Sequence, residues 1–254
     1  MSDDLSEPAA VANLPDYLAE AAGTALLVFI GIGWVTLLIS PDSPLPALLP
    51  PAWLRRAIAG GLFGLTGTAL TLSPLGRRSG AHINPAVTFA FWLERRISHS
   101  NAALYALAQV LGAALGAWAL LVWGSWGHAL HFGVTEPAPG LPVLAAAGLE
   151  AGITCLMVTL ILVMLARPAT RPYTAWTMGP LFALLVALEA PLTGTSANPA
   201  RSLGPAWVTG DWHDAWVYVV GPLAGALVAV MLVKLEVWGS ARAREARMAH
   251  FRLP

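Results

Sequence analysis

Charge is what this 254-residue chain lacks most. Asp, Glu, Lys and Arg together make up 11% of it, against about 25% in a soluble globular domain. Hydrophobic residues make up 57% and mean hydropathy is +0.66, so there is too little polar surface to coat a soluble body of this size. The 14 basic and 14 acidic side chains cancel, which leaves no excess of Lys and Arg for a nucleic-acid partner. Cys155 is the single cysteine; it has no partner for an internal disulfide or a metal site. A His-Glu-x-x-His helix and a Gly-x-Ser-x-Gly elbow are also absent, so an intramembrane hydrolase has no source of metal-bound water or activated nucleophile. No catalytic residue, cofactor or metal is expected. These absences leave an integral, multi-pass protein of the lipid bilayer.

What is present is a series of apolar runs, at 17–39, 54–73, 101–124, 142–166, 174–190 and 212–238. Most reach the ~20 residues a helix needs to cross the hydrocarbon layer; the run from Thr174 is the shortest, and Pro191 ends it. Six crossings are predicted. Residues 1–15 carry Asp3, Asp4, Glu7, Pro8 and Pro15 without the basic start or cleavage site of a signal peptide, and read as a short exposed tail. Arg77, Arg78, Arg95, Arg96, Arg167, Arg171, Arg242, Arg244, Arg247 and Arg252 fall on one face of such a protein, whereas the long loop 125–141 has no Lys or Arg. That bias places both termini in the cytoplasm, with the cell (inner) membrane as the location and Arg55 and Arg56 as a minor exception. The basic tail 239–254 reads equally as a topological anchor or as a contact for anionic lipid. Trp34, Trp53, Trp123, Trp126, Trp212 and Trp216 lie mostly near crossing ends, as an aromatic belt requires.

Two further apolar stretches, 85–93 and 199–208, span only about half a bilayer at 1.5 Å per residue. Each follows a polar, glycine-bearing segment, Ser79-Gly80-Ala81-His82-Ile83-Asn84 and Thr193-Gly194-Thr195-Ser196-Ala197-Asn198. Asn84-Pro85-Ala86 recurs as Asn198-Pro199-Ala200, 114 positions later. Around it, Glu20 with Thr24 parallels Glu150 with Thr154, and Gln109-Val110-Leu111-Gly112 parallels Pro222-Leu223-Ala224-Gly225. Each half therefore holds three crossings and one half-length stretch, and an odd number inserts the second half upside down. Inverted repeats put their functional segments at the repeat interface near the membrane midplane. Non-helical backbone is tolerated there only if buried in protein or lining a water-filled cavity. A pore follows, within a single channel domain over 16–238 whose repeats cover about 16–124 and 142–238.

Proline at the first helical position gives up no hydrogen bond, and asparagine before it is a strong N-cap whose side-chain oxygen accepts a first-turn N–H. With that oxygen engaged, the amide NH₂ groups of Asn84 and Asn198 are expected to point outward as donors, with Ala86 and Ala200 keeping the meeting point small. Two donors and two positive helix ends then converge in a narrow passage. A guest must accept hydrogen bonds, a cation is repelled, and a water wire is turned so that proton hopping is interrupted.

Gly80-Ala81-His82-Ile83-Asn84-Pro85-Ala86-Val87-Thr88 and Asn198-Pro199-Ala200-Arg201-Ser202 resemble the two signature loops of the aquaporin or major intrinsic protein family, and Glu20-Ala21-Ala22-Gly23-Thr24 resembles its first-helix pattern. The resemblance covers about 17–237. It implies an all-α membrane fold of six transmembrane helices and two half-helices meeting at the midplane, usually as a homotetramer with one pore per subunit. It also implies a selectivity filter at the narrow outer mouth. Arg201, on the first turn of the second half-helix, is assigned there; a guanidinium supplies several fixed donors and repels cations, and a buried arginine is too costly to be incidental. Thr195, Val186 and Phe63 are the other filter positions carried over. Phe63 requires a one-residue insertion near Ser73-Pro74, and without it Gly64 takes the place and widens the filter.

Strict water channels of the family generally have histidine where this chain has Val186, and glycerol facilitators have aspartate where it has Ser202. With Tyr218-Val219 before Gly221-Pro222, these departures make the chain most similar to the nodulin-like branch and its bacterial relatives. That branch implies passage of small neutral solutes, namely glycerol-like polyols and metalloid hydroxides such as arsenous or boric acid, besides water.

Glu20 and Glu150 are acids within the membrane and hence functional candidates. Support of the pore loops, each carboxylate accepting backbone N–H groups, is the preferred role and the one the resemblance implies; a proton relay is the competing one. His82 steadies its loop, with a pH gate as the alternative. Glu189 has no counterpart in the first half and reads as reaching the interface at the end of its crossing. Two function classes stand: a passive channel, and a proton-coupled carrier of a small neutral solute.

Overall fold

The structure, a computed structural model, describes residues 14–235. The tail before Leu14 and the basic tail with Arg242, Arg244, Arg247 and Arg252 lie outside the described residues. Every regular element among those described is helical. Two full helices, α1 (Leu14–Ile39) and α2 (Ala52–Leu72), precede the half-helix α3 (Pro85–Leu93) and a third full helix, α4 (His99–Ala119). The second half repeats the order with α5 (Val143–Ala166), α6 (Met178–Leu188), the half-helix α7 (Pro199–Thr209) and α8 (Val217–Lys234).

Local chemistry sets most of the ends. Pro15 lies within the described part of the first helix, Leu14–Ile39. Ser98 caps α4, its hydroxyl accepting the Asn101 N–H at 3.3 Å. Ser73 closes α2 and caps the short turn Pro74–Ser79 that leads to the first signature loop. Four stretches are long and apolar enough to cross a membrane unaided: α1, α4 with its continuation to His128, α5 and α8. The other two crossings are α2, diluted by Arg55, Arg56 and several glycines, and α6, whose apolar helical run is Ala175–Leu188.

Both exceptional arginines are tied to backbone. Arg55 Nη1 donates to the Leu49 and Pro50 carbonyls, each at 2.7 Å. Arg56 Nε donates at 3.2 Å to the Ala187 carbonyl, near the C-terminal end of α6, where helix carbonyls lack partners of their own. These bonds account for two positive charges on the face otherwise poor in them.

The two halves pack alike. α1 lies on α4, and α5 on α8, each pair at a glycine. A Cβ on Gly112 would lie 2.7 Å from the Ala21 carbonyl carbon, and one on Gly225 would lie 2.9 Å from that of Ala151. Lipid offers no hydrophobic drive for helix association, so backbones this close maximise dispersion contacts instead. α2 and α6 pair across the repeat boundary. The half-helices cross over, α7 packing on α4 of the first half and α3 on α8 of the second. Leu104, Leu107, Leu111, Leu115 and Trp118 form an exposed stripe along α4, an apolar exterior suited to lipid.

Candidate functional site at the meeting point of the half-helices

The signature loops have nearly the same backbone. Gly80, Ala81 and Ile83 have φ of 89°, 49° and 41°; Gly194, Thr195 and Ala197 have 83°, 51° and 48°. For the residues with a Cβ this left-handed conformation costs about 1–3 kcal/mol each, and it persists only where the surroundings enforce it. The enforcing group in each half is a glutamate. Glu20, fully buried, accepts the His82 N–H at 2.9 Å and the Ile83 N–H at 2.6 Å, and also the Ser79 hydroxyl at 2.6 Å. Glu150, also fully buried, accepts the Ser196 N–H at 2.9 Å and the Ala197 N–H at 2.8 Å, with the Thr193 hydroxyl oxygen 2.6 Å away. Tyr105 and Tyr218 brace the loops by donating to the Ser79 and Thr193 carbonyls at 2.8 and 2.9 Å. Because peptide groups are planar, N–H groups turned toward the glutamates turn the preceding carbonyls away from them.

In the first half the lattice is completed by Gln109, whose amide nitrogen donates to Glu20 at 2.7 Å and to the Thr88 hydroxyl at 2.9 Å. His82 Nδ1 lies 3.1 Å from that same hydroxyl, and its ring stacks on Phe91 with centroids 4.7 Å apart. His82 is thus packed into its loop.

The asparagine oxygens cap as expected: Asn84 Oδ1 accepts the Ala86 N–H at 2.8 Å, and Asn198 Oδ1 accepts that of Ala200 at 3.0 Å. The amide nitrogens depart from the sequence expectation of wholly free donors. Asn84 Nδ2 donates to the Ala197 carbonyl at 2.8 Å and Asn198 Nδ2 to the Ile83 carbonyl at 3.0 Å. One N–H of each amide is spent fastening the halves together, because the inverted loops bring a carbonyl opposite each amide. The second N–H of each has no protein partner among the described residues. Both asparagines line a cavity of ≈ 80 Å³ whose wall is otherwise mostly apolar, with Phe63, Ile83, Val87, Met157 and Phe182. That volume is large enough for a few water-sized molecules.

Phe63 and Gly64 both touch this cavity, but they differ in role. A Cβ at Gly64 would lie 2.6 Å from the Met178 carbonyl carbon, so Gly64 is a helix contact, while the Phe63 ring faces that of Phe182 at 5.6 Å. Val186, Thr195 and Arg201 do not line this cavity. Val186 sits one turn beyond Phe182, with Gly60 of α2 against it. The Thr195 hydroxyl donates to Glu189 Oε2 at 2.5 Å. Arg201 is 7% exposed, and its Nη1 donates to the Gly133 carbonyl at 2.8 Å, one of five guanidinium N–H groups thereby committed.

Two residues of the site, Gly133 and Phe182, are not singled out by the sequence, and a third, Glu189, lies in surroundings other than those expected. Gly133 sits in the loop between the halves with φ of 84° and Ile32 where a Cβ would lie; nothing in the sequence marks it. Phe182 had a signal, since it precedes Val186 by four and so shares its helix face. Glu189, expected to reach outward from the end of its crossing, is 7% exposed and bonded to Thr193 and Thr195, because its backbone ends α6 just where the loop turns inward.

Half-helices from two inverted halves, meeting at paired asparagines beside a water-sized passage, define a membrane channel. The chain belongs to the Major intrinsic protein family, whose sequence model matches residues 7–233. It is 39% identical over 212 residues to Aquaporin NIP1-1 of Oryza sativa subsp. japonica, covering 83% of this chain and 70% of that protein. It is 32% identical to Aquaporin AqpM of Methanothermobacter marburgensis, over 84% of this chain and 94% of the relative. The fold matches the X-ray structure of the aquaglyceroporin from Plasmodium falciparum with a TM-score of 0.71 at 20% identity, over 89% of this chain and 97% of that one. As a member of this family the chain is a membrane channel for water and small solutes, and not an enzyme.

Proposed function

We propose that the chain is a passive channel that conducts water and small uncharged solutes, glycerol-like polyols and arsenous or boric acid among them, and excludes protons and ions. The observation that carries this reading is the crossed pair of asparagine amides, each with a second N–H on the wall of an apolar passage. A guest that accepts two hydrogen bonds and carries no charge passes; a cation meets two positive helix ends. Asn84, Pro85, Ala86, Asn198, Pro199 and Ala200 form the central constriction. Phe63, Val186, Thr195 and Arg201 form the filter toward the outer mouth, where valine in place of a bulky polar group leaves room for a polyol. Glu20, Glu150 and His82 support the loops. The carrier reading is disfavoured, because both membrane acids spend their oxygens on loop N–H groups and hydroxyls rather than on a path between the two faces.

The channel unit is residues 16–238, with both termini in the cytoplasm, set in the cell (inner) membrane and assembled as a homotetramer. Stopped-flow light scattering on proteoliposomes, with water, glycerol, boric acid and arsenous acid run in parallel, tests the solute range. Flux of all four above that of empty vesicles is expected. Flux of water alone overturns the solute assignment, and flux that requires a pH gradient overturns the passive mechanism.

A further inference from the structure

The two halves hold their loops with matching glutamates and tyrosines but differ in what surrounds each glutamate. The first half completes its lattice with the Gln109 amide; the matching position in α8 is Pro222, which has no donor. The second half instead has an extra acid, Glu189, where the first half has Leu75. An amide donor has been lost and a carboxyl gained.

Glu189 bonds Thr193 Oγ1 through one oxygen and Thr195 Oγ1 through the other, while Thr193 Oγ1 also lies 2.6 Å from Glu150 Oε1. A threonine hydroxyl carries one proton. It donates to one carboxylate, and its contact with the other is a hydrogen bond only if that second carboxyl supplies a proton itself. We propose that Glu150 and Glu189 share one proton through Thr193, and that Glu189 is a positioning residue that holds Thr195 at the outer constriction.

With the proton present every group is paired. Without it, two buried carboxylates face a single hydroxyl proton and repel each other, and the Thr193-Gly194-Thr195 turn shifts. The only bond that changes is O–H, its proton exchanging with water at the mouth. Other charged and titratable groups face this site from the surrounding elements. They are Arg56 of α2, tied to the Ala187 carbonyl; Arg201 of α7, tied to Gly133; and Tyr218 of α8, tied to the Thr193 carbonyl. Asp214 lies before α8, and Glu136, paired with His131, lies in the loop between the halves. Arg201 stays charged at every working pH and faces Glu150 and Glu189 themselves, so its field is the same throughout and the pair is what titrates.

The test uses the full chain in proteoliposomes, as wild type, Glu189→Gln and Glu189→Ala, between about pH 6 and about pH 9. Infrared difference spectra of the wild type show a protonated-carboxyl C=O band that vanishes as pH rises. Glu189→Gln lacks that pH-sensitive band, because its amide nitrogen replaces the shared proton as donor to Thr193. The wild-type ratio of glycerol to water permeability changes about fivefold across the range, the size set by one lost buried hydrogen bond. Glu189→Gln keeps the low-pH ratio throughout, and Glu189→Ala keeps the high-pH ratio. A wild type with no pH-sensitive carboxyl band, a band unchanged in Glu189→Gln, or a Glu189→Gln ratio that follows the wild type overturns the proposal. The flux arm rests on the channel reading above and the infrared arm does not. An intact band without solute flux in any variant therefore supports the shared proton and overturns that reading.

Discussion

Asn84 and Asn198 do not bond to each other; each gives an amide N–H to the carbonyl immediately before the other, Asn84 to Ala197 and Asn198 to Ile83. The two residues that present donors to the passage are thus also the fasteners between the halves. A polar group added or removed here changes both duties together.

Asn84→Asp keeps an oxygen to cap α3 but replaces the amide donor with a second acceptor facing the Ala197 carbonyl. The loss of a buried bond between the halves is expected to cost about 1–3 kcal/mol, seen as a lower unfolding midpoint in detergent. The added negative charge at the constriction is expected to admit cations, measured as dye-reported ion leak in vesicles that exclude ions with the wild type.

Glu20→Ala removes the acceptor of the His82 and Ile83 N–H groups and of the Ser79 and Gln109 donors. Bonds to a charged group contribute about 1.5–3 kcal/mol each, and Glu20 is fully buried. A loss of at least about 3 kcal/mol is expected, checked by thermal unfolding followed by tryptophan fluorescence, with Glu20→Gln retaining more stability than Glu20→Ala.

Val186→His is expected to narrow the passage one turn beyond Phe182 and to lower glycerol or arsenous acid flux more than water flux. Phe182→Ala is expected to do the reverse by removing a ring from the cavity that both asparagines line. Parallel stopped-flow runs decide both; an equal change for all solutes counts against these positions.

Gly112→Ala places a methyl group against the Ala21 backbone. Overpacking of this kind costs about 1–3 kcal/mol, and Gly225→Ala is expected to cost a similar amount at the matching contact with Ala151. Gly148→Ala, with open space around it, serves as the control. Unfolding midpoints of the three variants check the pattern.

The fold was legible because its signals are local or repeated. Capping by Asn84 and Asn198, proline at the next position and the spacing of the short apolar stretches all depend on a few adjacent residues. The duplicated Glu20 and Glu150 showed that the halves are equivalent. What stayed hidden depends on which residues meet across the repeat boundary. No sequence pattern placed the Ile83 and Ala197 carbonyls opposite the amides, since that follows from positive φ in both loops at once. Gly133 reaches Arg201 only through the loop between halves, and Glu189 looked like a residue at a helix end because its backbone is one. Phe182 was overlooked because helix periodicity says which residues share a face, and only packing of α6 on α2 says that the face meets the passage.

The most direct test of the account records water and proton movement in the same vesicles, by stopped-flow shrinkage together with an enclosed pH-sensitive dye under an imposed pH gradient. Rapid osmotic shrinkage with no proton entry above that of protein-free vesicles is the predicted result. Proton entry that rises with the amount of channel, or shrinkage no faster than that of empty vesicles, would contradict it.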